Sequence, residues 1–222
     1  MDASISSVLT REMVEQIVRE IVLKKLRGPD AQAMSLVVHA SARHMHLCRH
    51  DLETLFGPGY ELTVDRPLYQ AGNFAAKEMV TLIGPRSRLI SNLRILGPLR
   101  KESQVELAFT DAISLGIEAP IRLSGNIEGT PGCLVMGPKG VVQLNRGVIR
   151  AAIHVHMNPG EAAHFAVKDG DVMKLRVGGD AGVTFNRVHV RIDPTSRLNV
   201  HMDTDEANGC GLHLAKDIEL FK

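Results

Sequence analysis

From about residue 35 onward the apolar residues come in short runs cut by glycine and proline, and this punctuation limits the folds open to the chain. Met79 to Ile83, Leu89 to Ile95, Gln104 to Phe109, Ile121 to Leu123, Cys133 to Met136 and Val141 to Leu144 are strand-length stretches. Gly84-Pro85, Gly97-Pro98, Gly125-Asn126, Gly137-Pro138 and Gly140 separate them. Turn signals spaced roughly 8 to 12 residues apart favour a barrel or sandwich over βαβ units. Val188 to Ile192, Leu198 to His201 and a last strand near Ile218 to Phe221 continue the pattern. A mainly β fold is expected.

Within this pattern one plan occurs twice. A strand over Ser35 to Ser41 leads into Arg43-His44-Met45-His46, then a short helix over about residues 49 to 55, closed by Gly57-Pro58-Gly59. The stretch after His154-Val155-His156 repeats it. Asn158 suits a helix cap, Pro159 the first helical position, and Glu161 the far end of a capping box, so Glu161 to Ala166 reads as a short helix. Lys168-Asp169-Gly170-Asp171 then turns into Val172 to Val177, and an Asp-Gly between alternating apolar runs predicts a hairpin. Two similar halves follow, each with histidines near its strand ends.

Residues i and i+2 of a strand point to one face, so each His-x-His aims two imidazoles in one direction. Neutral imidazole is the commonest metal ligand. A catalytic zinc takes three protein ligands and keeps one position open. His201, in Val200-His201-Met202-Asp203, is the natural third partner of His154 and His156. Glu106 is the acid offered to His44 and His46, although periodicity alone favours an exposed strand acid there. Arg100 follows the rigid Gly97-Pro98-Leu99 turn, and a guanidinium fork matches phosphate or carboxylate oxygens. Solvated surface arginines are the competing reading for both Arg100 and Arg43. Cys48, two residues past His46, is a thiolate near a metal or, the stronger reading, a small buried residue. No G-x-S-x-G elbow and no glycine-rich phosphate loop is present.

Lysine and arginine number 26 against 25 acids, so no electrostatic footprint for nucleic acid exists. The three cysteines, Cys48, Cys133 and Cys210, form no CxxC pair, which points to a reducing, intracellular setting. No apolar run reaches the roughly 18 residues of a membrane span, and no secretory signal opens the chain, so a cytosolic protein is expected. Residues 8 to 26 read as an amphipathic helix, with Val8, Leu9, Met13, Ile17, Ile21, Val22 and Leu26 as its stripe. The polar linker Gly28 to Ala33 sets it off. Such a helix either packs on its own domain or docks on a partner, a membrane surface being the weakest option for its mixed charges.

At this level the motifs become specific. Ser41-Ala42-Arg43-His44-Met45-His46-Leu47, Arg94-Ile95-Leu96-Gly97-Pro98-Leu99-Arg100 with Ser103-Gln104-Val105-Glu106, Thr110-Asp111-Ala112, Ser124-Gly125, Arg150-Ala151-Ala152-Ile153-His154-Val155-His156 and Asp203-Thr204-Asp205-Glu206-Ala207-Asn208 occur in order. Together they resemble the PduL-type phosphotransacylases, the phosphate propanoyltransferases of bacterial microcompartments and propanediol degradation.

The resemblance implies acyl transfer between coenzyme A and inorganic phosphate, giving acyl phosphate and free CoA, with propanoyl-CoA or a similar short acyl-CoA as substrate. It implies two β-barrel domains with short capping helices and a dinuclear zinc site between them. His44, His46 and Glu106 match ligands of one zinc, His154, His156 and His201 those of the other, and Arg100 the phosphate-binding arginine. It divides the chain into a helix over 1–27 and a linker over 28–34. The first barrel takes 35–43 and 152–222, the second 44–151. The helix matches an encapsulation peptide docking on shell or cargo proteins inside a microcompartment. A homo-oligomer is expected, with no nucleic-acid or membrane partner. Ser103 stands where the family favours threonine, Ala71 where proline is frequent, and Cys48 where serine caps a helix. Phosphate is expected to attack the thioester carbonyl directly, without an acyl-enzyme.

Two rival readings remain open at this point. A dinuclear metal hydrolase of amides or phosphoesters also uses His-x-His pairs. Many such enzymes, however, are (β/α)8 barrels of about 250 residues with alternating helices. A shell-associated module holding zinc only for folding is the non-enzymatic alternative.

Overall fold

The computed structural model describes residues 36–222, so the amphipathic helix expected over 8–26 and its linker lie outside the described residues. The first half runs through strands β1 (Val37–Ser41), β2 (His44–His46), β3 (Val64–Pro67), β4 (Phe74–Ile83), β5 (Leu89–Gly97) and β6 (Gln104–Glu106). Next come β7 (Ile121–Arg122), β8 (Cys133–Met136), β9 (Val141–Leu144) and β10 (Val148–Ala151). The rest comprises β11 (His154–Met157), β12 (Val172–Val177), β13 (Val183–Ile192), β14 (Asn199–Asp203) and β15 (Ile218–Phe221). The α-helices are short: α1 (Arg49–Phe56), α2 (Phe109–Leu115), α3 (Pro159–Phe165) and α4 (Thr204–Gly209). The expected mainly β class holds.

The strands form two curled, half-barrel sheets. The six-stranded sheet has the order β1-β14-β11-β13-β12-β15, the nine-stranded one β7-β10-β6-β2-β5-β4-β8-β9, with β3 on β4. The same pairing sequence runs through both. β1 is parallel to β14, β14 antiparallel to β11, β11 parallel to β13 and β13 antiparallel to β12. Likewise β10 is parallel to β6, β6 antiparallel to β2, β2 parallel to β5 and β5 antiparallel to β4. β1 precedes β2 in the chain yet pairs in the other sheet, and β10 stands in the same relation to β11. Each half therefore lends its opening strand to the sheet of the other.

Side-chain alternation divides the six-stranded sheet cleanly. Val155, Met157, Val190, Val200 and Met202 are buried on one face, leaving the histidines of β11 and β14 on the other. In the nine-stranded sheet Met45, Leu82, Leu93, Ile95, Val105 and Val135 join one apolar cluster. All three residues of β2 and of β6 are buried, so both of their faces are covered.

Short helices follow the central strands at a constant interval. α1, α2, α3 and α4 begin three residues after His46, Glu106, His156 and His201 respectively. The capping box expected at α3 forms: Asn158 Oδ1 accepts from Glu161 N at 3.0 Å and Glu161 Oε2 accepts from Asn158 N at 2.8 Å. Asp203 and Glu206 form a second one on α4, both bonds at 2.8 Å. Cys48, the N-cap of α1, makes no side-chain cap bond. Ser103 Oγ substitutes from outside, accepting from Cys48 N at 3.0 Å and donating to Asp51 Oδ2 at 2.5 Å. The halves are also tied through their helices, because Thr110 on α2 donates from N and Oγ1 to the Asp205 carboxylate of α4, each at 2.8 Å.

Two expectations are corrected. The strand anticipated over Gln104 to Phe109 stops at Glu106, and Phe109 instead opens α2 with its ring under the Arg150 guanidinium, 4.7 Å from the ring centre. The Lys168–Asp171 turn makes no hairpin. It joins α3, which ends at Ala166 in the left-handed region (φ 52), to β12, and Asp171 Oδ2 closes it by accepting from Lys168 N at 3.0 Å. The β12–β13 pairing instead brackets the glycine-containing turn at Gly178 to Gly182. β3 and β10 were not anticipated, being short and without alternation.

The capping box gives a first prediction. Asn158→Ala should lower stability by about 1 kcal/mol with an unchanged m-value in urea unfolding, because one buried helix-start donor loses its acceptor.

Candidate metal and anion site

The register places the singled-out residues opposite one another. Across β2 and β6, His44 pairs with Glu106 and His46 with Gln104. Across β11 and β14, His154 pairs with His201 and His156 with Asn199. In each sheet the first histidine thus faces the candidate third ligand, and the second faces a carboxamide. That carboxamide in turn bonds the third ligand: Gln104 Nε2 donates to Glu106 Oε1 at 2.7 Å, and Asn199 Nδ2 meets His201 Nε2 at 2.8 Å.

His44 Nδ1 bonds the Ala42 carbonyl at 2.8 Å and His154 Nδ1 bonds the Ala152 carbonyl at 2.8 Å. A carbonyl only accepts, so each Nδ1 carries a proton and each Nε2 is the nitrogen turned to the site. Fixing the tautomer through the far nitrogen is how metal-ligating histidines are oriented. His44 Nε2 lies 3.5 Å from Glu106 Oε2, and His46 Nε2 lies 3.8 Å from Glu106 Oε1. These separations are long for hydrogen bonds. They are close to the roughly 3.4 Å between ligand atoms on a tetrahedral zinc with bonds near 2.1 Å. His44, His46 and Glu106 are buried, and their ligand atoms all lie within 4.8 Å of one another, the one such cluster among the described residues. Two imidazoles and a carboxylate suit zinc.

The second triad is more open. Ring centres of His154 and His156 are 4.9 Å apart, His154 and His201 5.3 Å, and His156 and His201 5.4 Å. Ser41 Oγ lies 3.1 Å from His201 Nδ1, so both nitrogens of that ring are engaged. Both triads border one small pocket, with His44 and Glu106 on one side and His154 and His201 on the other.

Electrostatics keep these groups in their ligand forms. Burial, then the neighbouring His44 and Arg100, pushes His46 down to about 3. Burial is also the first cause at His154 and His156, both at about 4, and at His201, at about 3. Burial alone would raise the Glu106 carboxyl. His44, His46, the Ser124 hydrogen bond and Arg100 outweigh it and hold Glu106 at about 2. All four imidazoles are therefore neutral, and the carboxylate charged, at neutral pH.

Arg100 reaches the same place from the loop after β5, its backbone N anchored on Leu47 O at 2.9 Å. Its guanidinium donates to Ser124 Oγ at 2.9 Å, and Ser124 Oγ donates to Glu106 Oε1 at 2.7 Å. Gln104 Nε2 also reaches Ser124 Oγ at 2.9 Å, while Gln104 Oε1 accepts from Gly125 N at 2.8 Å. Arg100, Ser124, Gln104 and Glu106 form one network that ties the arginine to the candidate metal ligand.

A family model described as phosphate propanoyltransferase matches residues 37–213, a span containing every residue named above. The chain belongs to the phosphate propanoyltransferase family. It is 46% identical over 232 residues to a phosphate propanoyltransferase of Planctopirus limnophila, covering 100% of this chain and 95% of that protein. A Thermotoga maritima protein of the same name is 49% identical over 179 residues, 80% of this chain and 85% of the relative. One from Salmonella typhimurium is 42% identical over 204 residues, 91% of this chain and 93% of the relative. These relatives are acyltransferases by name, which weighs against the hydrolase and structural-module readings.

Not every residue singled out in the family motifs meets the pocket. Arg43 turns away to pair with Asp111 on α2 at 2.9 Å. Cys48 serves as a helix cap. Ser124 and Gln104 were missed as functional residues; only their membership of motifs marked them, since their role depends on β6 meeting the loop after β7. Asn199 was missed for the same reason, its partner lying across a sheet.

The depressed values set an acid limit. Below 6.5, the ordinary histidine value, the unfolded chain binds protons that the four buried imidazoles refuse, and below 4.5 the same holds for Glu106. More protons on the unfolded state means stability rises with pH. Metal-free protein should thus lose stability steadily as pH falls from about 6.5 to 3, in denaturant midpoints taken across that range, and His46→Asn should flatten the slope.

Proposed function

We propose that this chain transfers a short acyl group, propanoyl by the name of its relatives, reversibly between coenzyme A and inorganic phosphate. The observation that carries the reading is the pocket bordered by two histidine-rich triads from two sheets, one buried and one more open, with Arg100 bonded into the first through Ser124. We further propose that the triads are two zinc sites, His44, His46 and Glu106 in one and His154, His156 and His201 in the other. Zinc bound there would supply Lewis-acid stabilisation of developing negative charge.

The chain's own groups account for the remainder. Arg100 binds and orients the phosphate through its fork, leaving an oxygen free to approach the thioester carbonyl. The new C–O bond forms as the C–S bond breaks, and coenzyme A leaves as the thiolate, which takes up, directly or through solvent, the proton that hydrogen phosphate gives up on acylation. Ser124 and Gln104 hold Glu106 Oε1 so that its second oxygen stays available. The neutral imidazoles put no proton in competition with a ligand. No nucleophile of the chain is required. Cys48→Ser should therefore keep turnover within about twofold, since Cys48 N and not its thiol makes the bond to Ser103.

A division into two barrel domains, 35–43 with 152–222 and 44–151, is supported by the exchange of β1 and β10 between sheets. We also propose an encapsulation role for residues 1–27 in a bacterial microcompartment, docking on shell or cargo proteins, and a homo-oligomeric enzyme. The amphipathic pattern and the linker support the first. Deleting 1–27 should leave turnover intact and abolish co-sedimentation with shells.

The deciding assay is CoA release from propanoyl-CoA with and without phosphate, on protein of measured metal content. Release that depends on phosphate is expected; release without it would favour a thioesterase and overturn the reading. Arg100→Ala should raise KM for phosphate roughly 10- to 100-fold, the loss of a charge-assisted hydrogen bond, with metal content unchanged.

A further inference from the structure

The internal repeat marks a cation that none of the motifs used. β5 lies beside β2 as β13 lies beside β11, with His44 in register with Arg94 and His154 with His189. Two residues further along, β5 carries Leu96 and β13 carries Arg191, which is in register with His156. At this step the second sheet carries a cation where the first carries an apolar residue. Residues in register share a face, so Arg191 stands on the histidine-bearing side and not on the side where Val155 and Val190 enter the core.

Among the described residues the Arg191 guanidinium joins no ion pair. The acid nearest in sequence, Asp193, turns Oδ1 to Thr195 N and Oγ1 at 2.8 and 2.5 Å. Arg191 instead adjoins His156 across the β11–β13 pairing, and its charge also reaches Arg100. Two guanidiniums near enough to act on one another repel, and an anion between them would remove that repulsion.

We infer that Arg191, beside His156 on the histidine-bearing face, is a second anion-binding arginine, and that its ligand is the phosphoryl group being transferred. That group is inorganic phosphate in one direction and acyl phosphate in the other. The inference rests on the proposed acyl transfer. The phosphates of coenzyme A are the other chemical source of such charge. A long pantetheine arm separates them from the thioester, whereas Arg191 adjoins His156 on the reacting face.

The test compares wild type, Arg191→Gln and Arg191→Lys at matched metal content, with phosphate and propanoyl-CoA varied in separate series. Arg191→Gln should raise KM for phosphate and for acyl phosphate roughly 10-fold and leave KM for propanoyl-CoA within about twofold. Arg191→Lys should recover part of the loss, keeping the charge without the fork. Inorganic phosphate alone should raise the Tm of wild type and do so less for Arg191→Gln. An unchanged phosphate KM in Arg191→Gln, or a rise confined to propanoyl-CoA, would overturn the assignment. If wild type itself releases CoA without phosphate, the acyl-transfer reading fails instead, so the two failures are separable.

Discussion

A buried carboxylate is the constraint around which the site is built. Glu106 is 8% exposed and ionised, and an isolated charge in such a place is strongly disfavoured. Ser124 and Gln104 satisfy Oε1, and Arg100 adds its field. Oε2 is left facing His44 Nε2 at 3.5 Å, with His46 Nε2 3.8 Å from Oε1.

The fold supplies this arrangement twice, through one device. Antiparallel pairing of β2 with β6, and of β11 with β14, sets a His-x-His strand against a carboxamide and a third ligand. Because β1 and β10 cross between sheets, neither half completes its sheet alone. The two triads are therefore held against one pocket by the exchanged strands as well as by Thr110 and Asp205. The repeat departs from itself at two places: a carboxylate stands against an imidazole at Glu106 and His201, and Leu96 against Arg191 beside the second histidine. The first triad carries a formal negative charge and the second none. Arg100 comes from the loop after β5 and Arg191 from β13.

Much of this was legible from residue order. The paired His-x-His motifs, the Asn158–Glu161 capping box and most strands stood where alternation and turn residues predicted them. Glu106 illustrates the limit. A period of two shows that Gln104 and Glu106 share a face, but not which face is inside, and an acid in a strand is ordinarily outside. Only the pairing of β6 between β10 and β2 buried it. Ser124 and Asn199 were beyond reach for a related reason, since a serine or asparagine acquires its role from what lies across a sheet. α2 escaped because its first turn continues the apolar run of β6, and the end of pairing at Glu106 is not written in composition.

By itself the sequence determined the mainly β class, the repeated strand-to-helix plan, the identities of six candidate metal ligands and, through its motifs, the family. These are local properties: alternation, turn chemistry and residue type act over a few positions. Tertiary structure alone decided that His44 meets Glu106 and His154 meets His201, that both pairs open on one pocket, and that Arg100 bonds to Glu106 through Ser124 while Arg191 lies beside His156. Those are matters of register and strand exchange between residues far apart in the chain. No short-range periodicity records which strand will lie beside which.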